Sequence, residues 1–126
     1  MQELTINGQV YQFNFGMGFL RDMNAKVSIT DSDAPGVRRN VGARYNIARI
    51  IDGDVEALED VLDTANKGQN PRLTKAAIDA FIDDENTNID EVFDEVMGFL
   101  KTANSTRKVT NQILEAVENQ KARANQ

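Results

Sequence analysis

The chain has 126 residues, 20 acidic against 14 basic side chains for a net charge of −6, and neither cysteine nor histidine. This excludes disulfides, thiolate nucleophiles, imidazole bases and the usual zinc sites, and a negative field disfavours nonspecific binding to nucleic-acid phosphates. A chain of this size forms one domain, 1–126, that buries roughly two-thirds of its unfolded surface, and with neither a basic leader nor a membrane-length apolar run it reads as a soluble cytoplasmic protein without a membrane partner.

Residues 1–15 predict a β-hairpin. Asn7-Gly8 suits a type I′ turn, whose central residues both need positive φ. The turn sets Ile6 against Gln9 and Leu4 against Tyr11, so Leu4, Ile6, Tyr11, Phe13 and Phe15 share one face. An isolated hairpin is marginal in water, and that face must pack on the rest of the chain. The pattern then turns helical: Phe19, Leu20, Met23 and Val27 mark a helix from Met17 to about Val27. "SITDSDAPGVRR" predicts a long surface loop over residues 28–39. A second helix follows over Val41–Ile51, with Tyr45, Ala48 and Ile51 inward, joined by Val41 and Ile47, and Asp52-Gly53 ends it.

Asp54 caps a third helix striped by Val55, Leu58, Leu62 and Ala65 and closed by Lys67-Gly68. Thr74 caps a fourth, edged by Ile78, Phe81 and Ile82. Asn88, with Glu91 three residues on, approximates a capping box for the most amphipathic segment, Ile89, Val92, Phe93, Val96, Phe99 and Leu100, expected as the central helix. A polar joint at Asn104–Lys108 leads to a final helix over 109–126. The fold class is mainly α: five or six helices in a compact bundle, 17–108 as helical core, with one N-terminal β-hairpin. Its core is drawn from Phe19, Leu20, Leu58, Leu62, Phe81, Val92, Phe93, Val96 and Leu100.

Charge is unevenly placed. Asp79–Glu95 holds eight carboxylates and no base, while Arg38, Arg39, Arg44 and Arg49 cluster in "RRNVGARYNIAR". The simplest reading is solvated faces with intramolecular pairing between the two runs. Asp84, Asn86, Asn88, Asp90 and Glu95 fall at ligand positions 1, 3, 5, 7 and 12 of an EF-hand loop. The sixth position, which needs glycine for the sharp turn, is Ile89, so the spacing fits an acidic helix start better than a calcium site. Asp83 with Asp84, or Asp94 with Glu95, would have to serve as acid and base in an enzyme, yet no nucleophile or phosphate loop accompanies them. Gly16 and Gly18 in "FGMG" ease a strand-to-helix corner. The expectation is no enzyme, no metal and no cofactor.

"INGQVYQFNFGMGFLRDMN", "NPRLTKAAIDAFIDD" and "IDEVFDEVMGFLKTANSTRK", in that order, resemble the tail assembly chaperones of long-tailed phages that infect Gram-positive bacteria. The likeness covers most of the chain but not residues 28–39. It implies a non-enzymatic protein of the host cytoplasm, absent from the finished virion. Its partners would be the tape measure protein, which it keeps soluble, and the tail tube protein, whose subunits it helps recruit. The other reading is a small regulatory protein that binds nucleic acid or a repressor through the Arg38–Arg49 helix, although base readout also wants a helix-turn-helix frame and a basic field.

The final helix suggests where a partner binds. Val109, Ile113, Leu114 and Val117 give about two turns of stripe, yet polar sequence continues through "ENQKARANQ". A helix with so little to bury either docks weakly or projects, leaving Ile113 and Leu114 to an apolar stripe on a tape-measure helix or to a second copy of the chain, or simply closes the bundle and frays at its end. These four residues are the candidate partner-binding site.

Overall fold

Asn7 and Gly8 take φ of 54° and 79°, the pair of positive values a type I′ turn requires, and fold β1 (Gln2–Ile6) against β2 (Gln9–Phe13). Leu4 pairs with Tyr11 and Ile6 with Gln9, the predicted register. Leu4, Ile6, Phe13 and Phe15 are buried, while Thr5 and Val10 on the other face are exposed. Six helices follow among the described residues, 1–124, of this computed structural model: α1 (Met17–Ala25), α2 (Gly42–Ile51), α3 (Val55–Asn66), α4 (Lys75–Asp83), α5 (Ile89–Thr102) and α6 (Asn104–Ala124). The protein is mainly α with an N-terminal antiparallel hairpin, as its periodicities predict. Asn125 and Gln126, the end of the predicted 109–126 segment, lie outside the described residues.

The most deeply buried helix is α3, not α5: Ala57, Leu58, Val61 and Leu62 are fully inaccessible. Its N-cap is Asp54, whose carboxylate accepts from the N–H groups of Glu56 and Ala57. The hairpin rests on its other end, where the Asn14 N–H donates to the Ala65 carbonyl at 2.8 Å. From α5, Val92, Val96 and Leu100 enter the core. Phe93, Phe81 and Leu20, expected inside, are only partly buried, and Val55, expected on the inner stripe, is 39% exposed.

Three further differences change what the surface can do. Residues 28–39 are not a bare loop: β3 (Ser28–Thr30) pairs with β4 (Arg38–Asn40), held by the Asp31 N–H donating to Val37 O at 2.8 Å. The inner face of α2 is Ala43, Asn46, Ile47 and Ile50. Tyr45 lies at the surface, 50% exposed, with the Arg49 guanidinium 5.4 Å from its ring centre, while Ala48 and Ile51 are half-buried. Finally, the predicted joint at Asn104–Lys108 is already helical, and α6 seats itself through buried Thr106 and Thr110. The Thr106 hydroxyl donates to Leu100 O at 2.7 Å, whereas the Thr110 hydroxyl is buried with no hydrogen-bond partner among the described residues.

Candidate functional site

The four arginines do not share a helix. Arg38 lies on β4 and donates to the Ser28 hydroxyl at 2.8 Å; Arg39 sits opposite Ile29 in the same ladder. Arg44 reaches Gln112 of α6 at 2.9 Å. Arg49 bonds Asp54 at 2.8 Å and Asn46 at 3.0 Å, and this guanidinium, with the Glu56 and Ala57 amides, holds the Asp54 carboxyl below its ordinary value. A recognition helix bearing four free cations is therefore not present. Nor do the basic and acidic runs pair. The ion pairs of the described residues are Arg49–Asp54, Lys67–Asp22, Arg72–Asp63 and Lys75–Asp60, and none uses a carboxylate from the 79–95 run.

The EF-hand spacing belongs to a turn and a helix start. Asp84 accepts from the Asn86 N–H at 2.9 Å, the Thr87 hydroxyl donates to Phe81 O at 2.6 Å, and Asn88 caps α5 by accepting from the Glu91 N–H at 3.2 Å. No three acidic side chains converge on a common point among the described residues. The acids that the fold brings together are Glu59 of α3 and Asp79 of α4, a pair that sequence spacing did not suggest. Hydrogen bonding to Asp79, burial and the like charge lift the Glu59 carboxyl from 4.5 to about 6. Such a group stabilises the fold fully below its unfolded value and loses that contribution as pH rises through the folded one. Glu59→Gln should therefore raise Tm at neutral pH and flatten its decline between pH 4.5 and about 6; a wild-type-minus-variant difference that stays constant across that window refutes the pairing.

Apolar side chains from four helices line one groove of about 580 Å³. Ile50 and Ile51 reach it from the end of α2, Val55 from the start of α3, Ile89, Phe93 and Met97 from α5, and Leu114 from α6; Asp90 and Asp94 stand among them. Ile89, Phe93 and Met97 are four residues apart, which stacks them along one side of α5. Only part of this row is covered by the fold itself, so an aromatic and a flexible thioether remain half in water. The pattern of α5 was legible; that Phe93 lines a groove was not, because periodicity gives a face without saying what covers it.

The four residues expected to bind a partner do not form one surface. Val109 and Ile113 pack against the core. Leu114 lines the apolar groove. Val117, with Ile113 beside it, opens on a separate cleft of about 420 Å³ with Arg44 and Gln112. Beyond Val117 every described residue of α6 is exposed, and no helix of the described residues is long and apolar enough to cross a membrane.

Searches of curated proteins and of solved structures gave no match. A family model described as phage tail assembly chaperone protein, TAC, matches residues 3–115. That span runs from β1 into α6 and takes in the hairpin, the buried α3 and every wall of the apolar groove. The order of elements that carried the likeness in the sequence is thus the order that builds this fold, and the chain belongs to the phage tail assembly chaperone family.

Proposed function

We propose that the chain is a non-enzymatic chaperone of the host cell cytoplasm that binds the tape measure protein, keeps it soluble and helps recruit tail tube subunits, and that it is absent from the finished virion. The observation that carries this reading is the family match over residues 3–115. Physics makes the role reasonable: a long helical partner exposes apolar stripes until a tube encloses it, and a small protein of net charge −6 that covers them keeps the complex dispersed. The long-tailed phages of Gram-positive hosts, which the sequence resembles, are the proposed source. Val109, Ile113, Leu114 and Val117 remain the proposed contact helix, with Leu114 presented to the partner and Val109 and Ile113 seating the helix.

Co-expression with the tape measure protein of the same phage tests this. The soluble fraction of the tape measure protein should rise severalfold, and the two should co-purify; an unchanged soluble fraction and no co-purification would sink the reading. Removing residues 118–126 should shift Tm by no more than about 2 °C, since the described part of that segment buries nothing. Removing 109–126 takes away the buried Thr110 and should abolish the cooperative melt. Equal behaviour of the two truncations would mean that α6 is not seated as described.

A further inference from the structure

The groove and the unpaired carboxylates lie together, and that coincidence identifies a kind of ligand. Of the residues lining the groove, the charged ones are Asp90 and Asp94, both acids. Both are exposed, and neither takes part in the ion pairs of the described residues. They stand at i and i+4 on α5, a spacing at which like charges repel by a few tenths of a kcal/mol in an isolated helix. Asp90 is in the first turn, where the helix dipole favours it, but Asp94 is beyond that reach. A fold that sets two unpaired acids along an apolar floor gains from a cation laid beside it.

The floor has a definite shape. Ile89, Phe93 and Met97 make a straight row of about 12 Å on α5, at 1.5 Å of rise per residue. Leu114 of α6 and the Ile51–Val55 corner complete the groove, whose lining residues all come from helices or the α2–α3 turn and none from a strand. An extended segment gains most of its affinity by hydrogen-bonding to a free sheet edge, and none lines this groove. A ridge of side chains spaced four residues apart instead complements the ridge of another helix. The methionine and the half-buried phenylalanine adapt to different apolar partners, as thioether-rich surfaces do.

We infer that the groove is the docking site for an amphipathic helix of the tape measure protein, one that lays apolar side chains at i, i+4 and i+7 along Ile89–Phe93–Met97 and sets Lys or Arg beside Asp90 and Asp94. This rests on the reading that the tape measure protein is the partner. It adds which surface is used and which partner segments use it: helices with an apolar stripe flanked by positive charge, in preference to equally apolar helices flanked by acids.

Peptides of 25 residues tiling the tape measure protein of the same phage, titrated into the full-length chain by fluorescence anisotropy, test the site alongside co-purification of the whole partner. Tight binders should be the tiles with a basic-flanked amphipathic stripe. Leu114→Lys and Val55→Lys, at half-exposed and exposed positions, should each weaken them about tenfold or more. Asp90→Lys with Asp94→Lys should do the same at low salt, by less in 0.5 M salt. Asp83→Lys with Glu85→Lys, an equal change of charge outside the groove, should change affinity less than about threefold. Thermal melts show whether each variant is folded, and the double aspartate variant, altered only at exposed helix positions, serves if the others are not. If the tape measure protein co-purifies equally with wild type and all folded groove variants, the groove is wrong and the chaperone reading stands. Equal weakening by both double charge reversals reduces the effect to net charge and also overturns the site. If wild type binds neither tile nor partner, both readings fall. If sedimentation shows a dimer that Leu114→Lys dissociates, a second copy fills the groove, which overturns the proposed occupant.

Discussion

Gly42→Ala should destabilise the protein by more than about 3 kcal/mol, enough to remove much of the stability of a domain this small. A Cβ at Gly42 would lie 1.8 Å from the Met23 carbonyl oxygen, 2.9 Å from the Met23 carbonyl carbon and 3.1 Å from the Asn24 oxygen. All three are backbone atoms, so no side chain can swing aside; the end of α1 would have to move by more than an ångström from the start of α2. That junction is closed by other bonds as well. The Asn24 side chain accepts from the Ala43 N–H at 3.0 Å, and the Val41 N–H donates to Val27 O at 2.9 Å. Overpacking of this kind ordinarily costs about 1 to 3 kcal/mol, and here Phe19 and Met23, both buried on α1, would be drawn out with the helix. Gly98→Ala is the control. Gly98 is in the interior of α5, and a methyl group there would meet nothing within 4 Å, so alanine should stabilise by up to about 1 kcal/mol. Urea unfolding of both variants decides it: a Gly42→Ala loss below about 1 kcal/mol would mean that α1 and α2 do not approach as described.

Gly42 also marks the boundary of what the sequence discloses. Caps and turns were legible because their chemistry is local: Asn7-Gly8, Asp54, Thr74 and Asn88 each act on backbone within three residues. Long amphipathic segments were legible because α3 and α5 repeat their apolar residues over three turns or more. The phase of α2 was not. Its inner face is fixed by the glycine contact with α1 and includes Asn46, which stays buried by donating to Gly42 O at 2.9 Å, while Tyr45 is held outside by Arg49. A stripe read from apolar residues alone puts the tyrosine in and the asparagine out. The β3–β4 ladder was illegible because three-residue strands with Ile29 exposed carry no buried alternation. The site shows the same division. Leu114 and the Ile89–Phe93 row could be named from periodicity, but their meeting with Ile51 and Val55 in one groove depends on how helices distant in sequence cross.

The second large effect is at Asn66, which no sequence pattern singles out. It ends α3 and is wholly buried. Its side-chain oxygen accepts from the Leu73 N–H at 2.6 Å and from the Arg72 guanidinium at 2.9 Å. Its side-chain nitrogen donates to Gln12 O at 2.9 Å and to Pro71 O at 3.4 Å. One amide thus joins the β2 strand, the end of α3 and the 71–73 segment that leads into α4. Asn66→Ala leaves the buried Leu73 N–H without a partner and frees the Gln12 carbonyl; at about 1 to 3 kcal/mol for each such group, the loss should be about 3 to 5 kcal/mol. Asn66→Asp should also destabilise, because it removes both donors and turns a carboxylate oxygen towards the Gln12 and Pro71 carbonyls, but by less than alanine, since its other oxygen keeps the Leu73 N–H and the Arg72 guanidinium. Asn46→Ala should cost less, since its donor bond stays within α2 and its other partner, Arg49, keeps Asp54. Native-state hydrogen exchange supplies the sharper test: in Asn66→Ala the amides of Leu73 and of Asn14, which donates to Ala65 O, should lose protection together, because hairpin and α3–α4 connection come loose as one unit. A variant that loses protection at Leu73 but keeps it at Asn14 would show that the hairpin is held by its apolar face, Leu4, Ile6 and Phe13, without help from the amide.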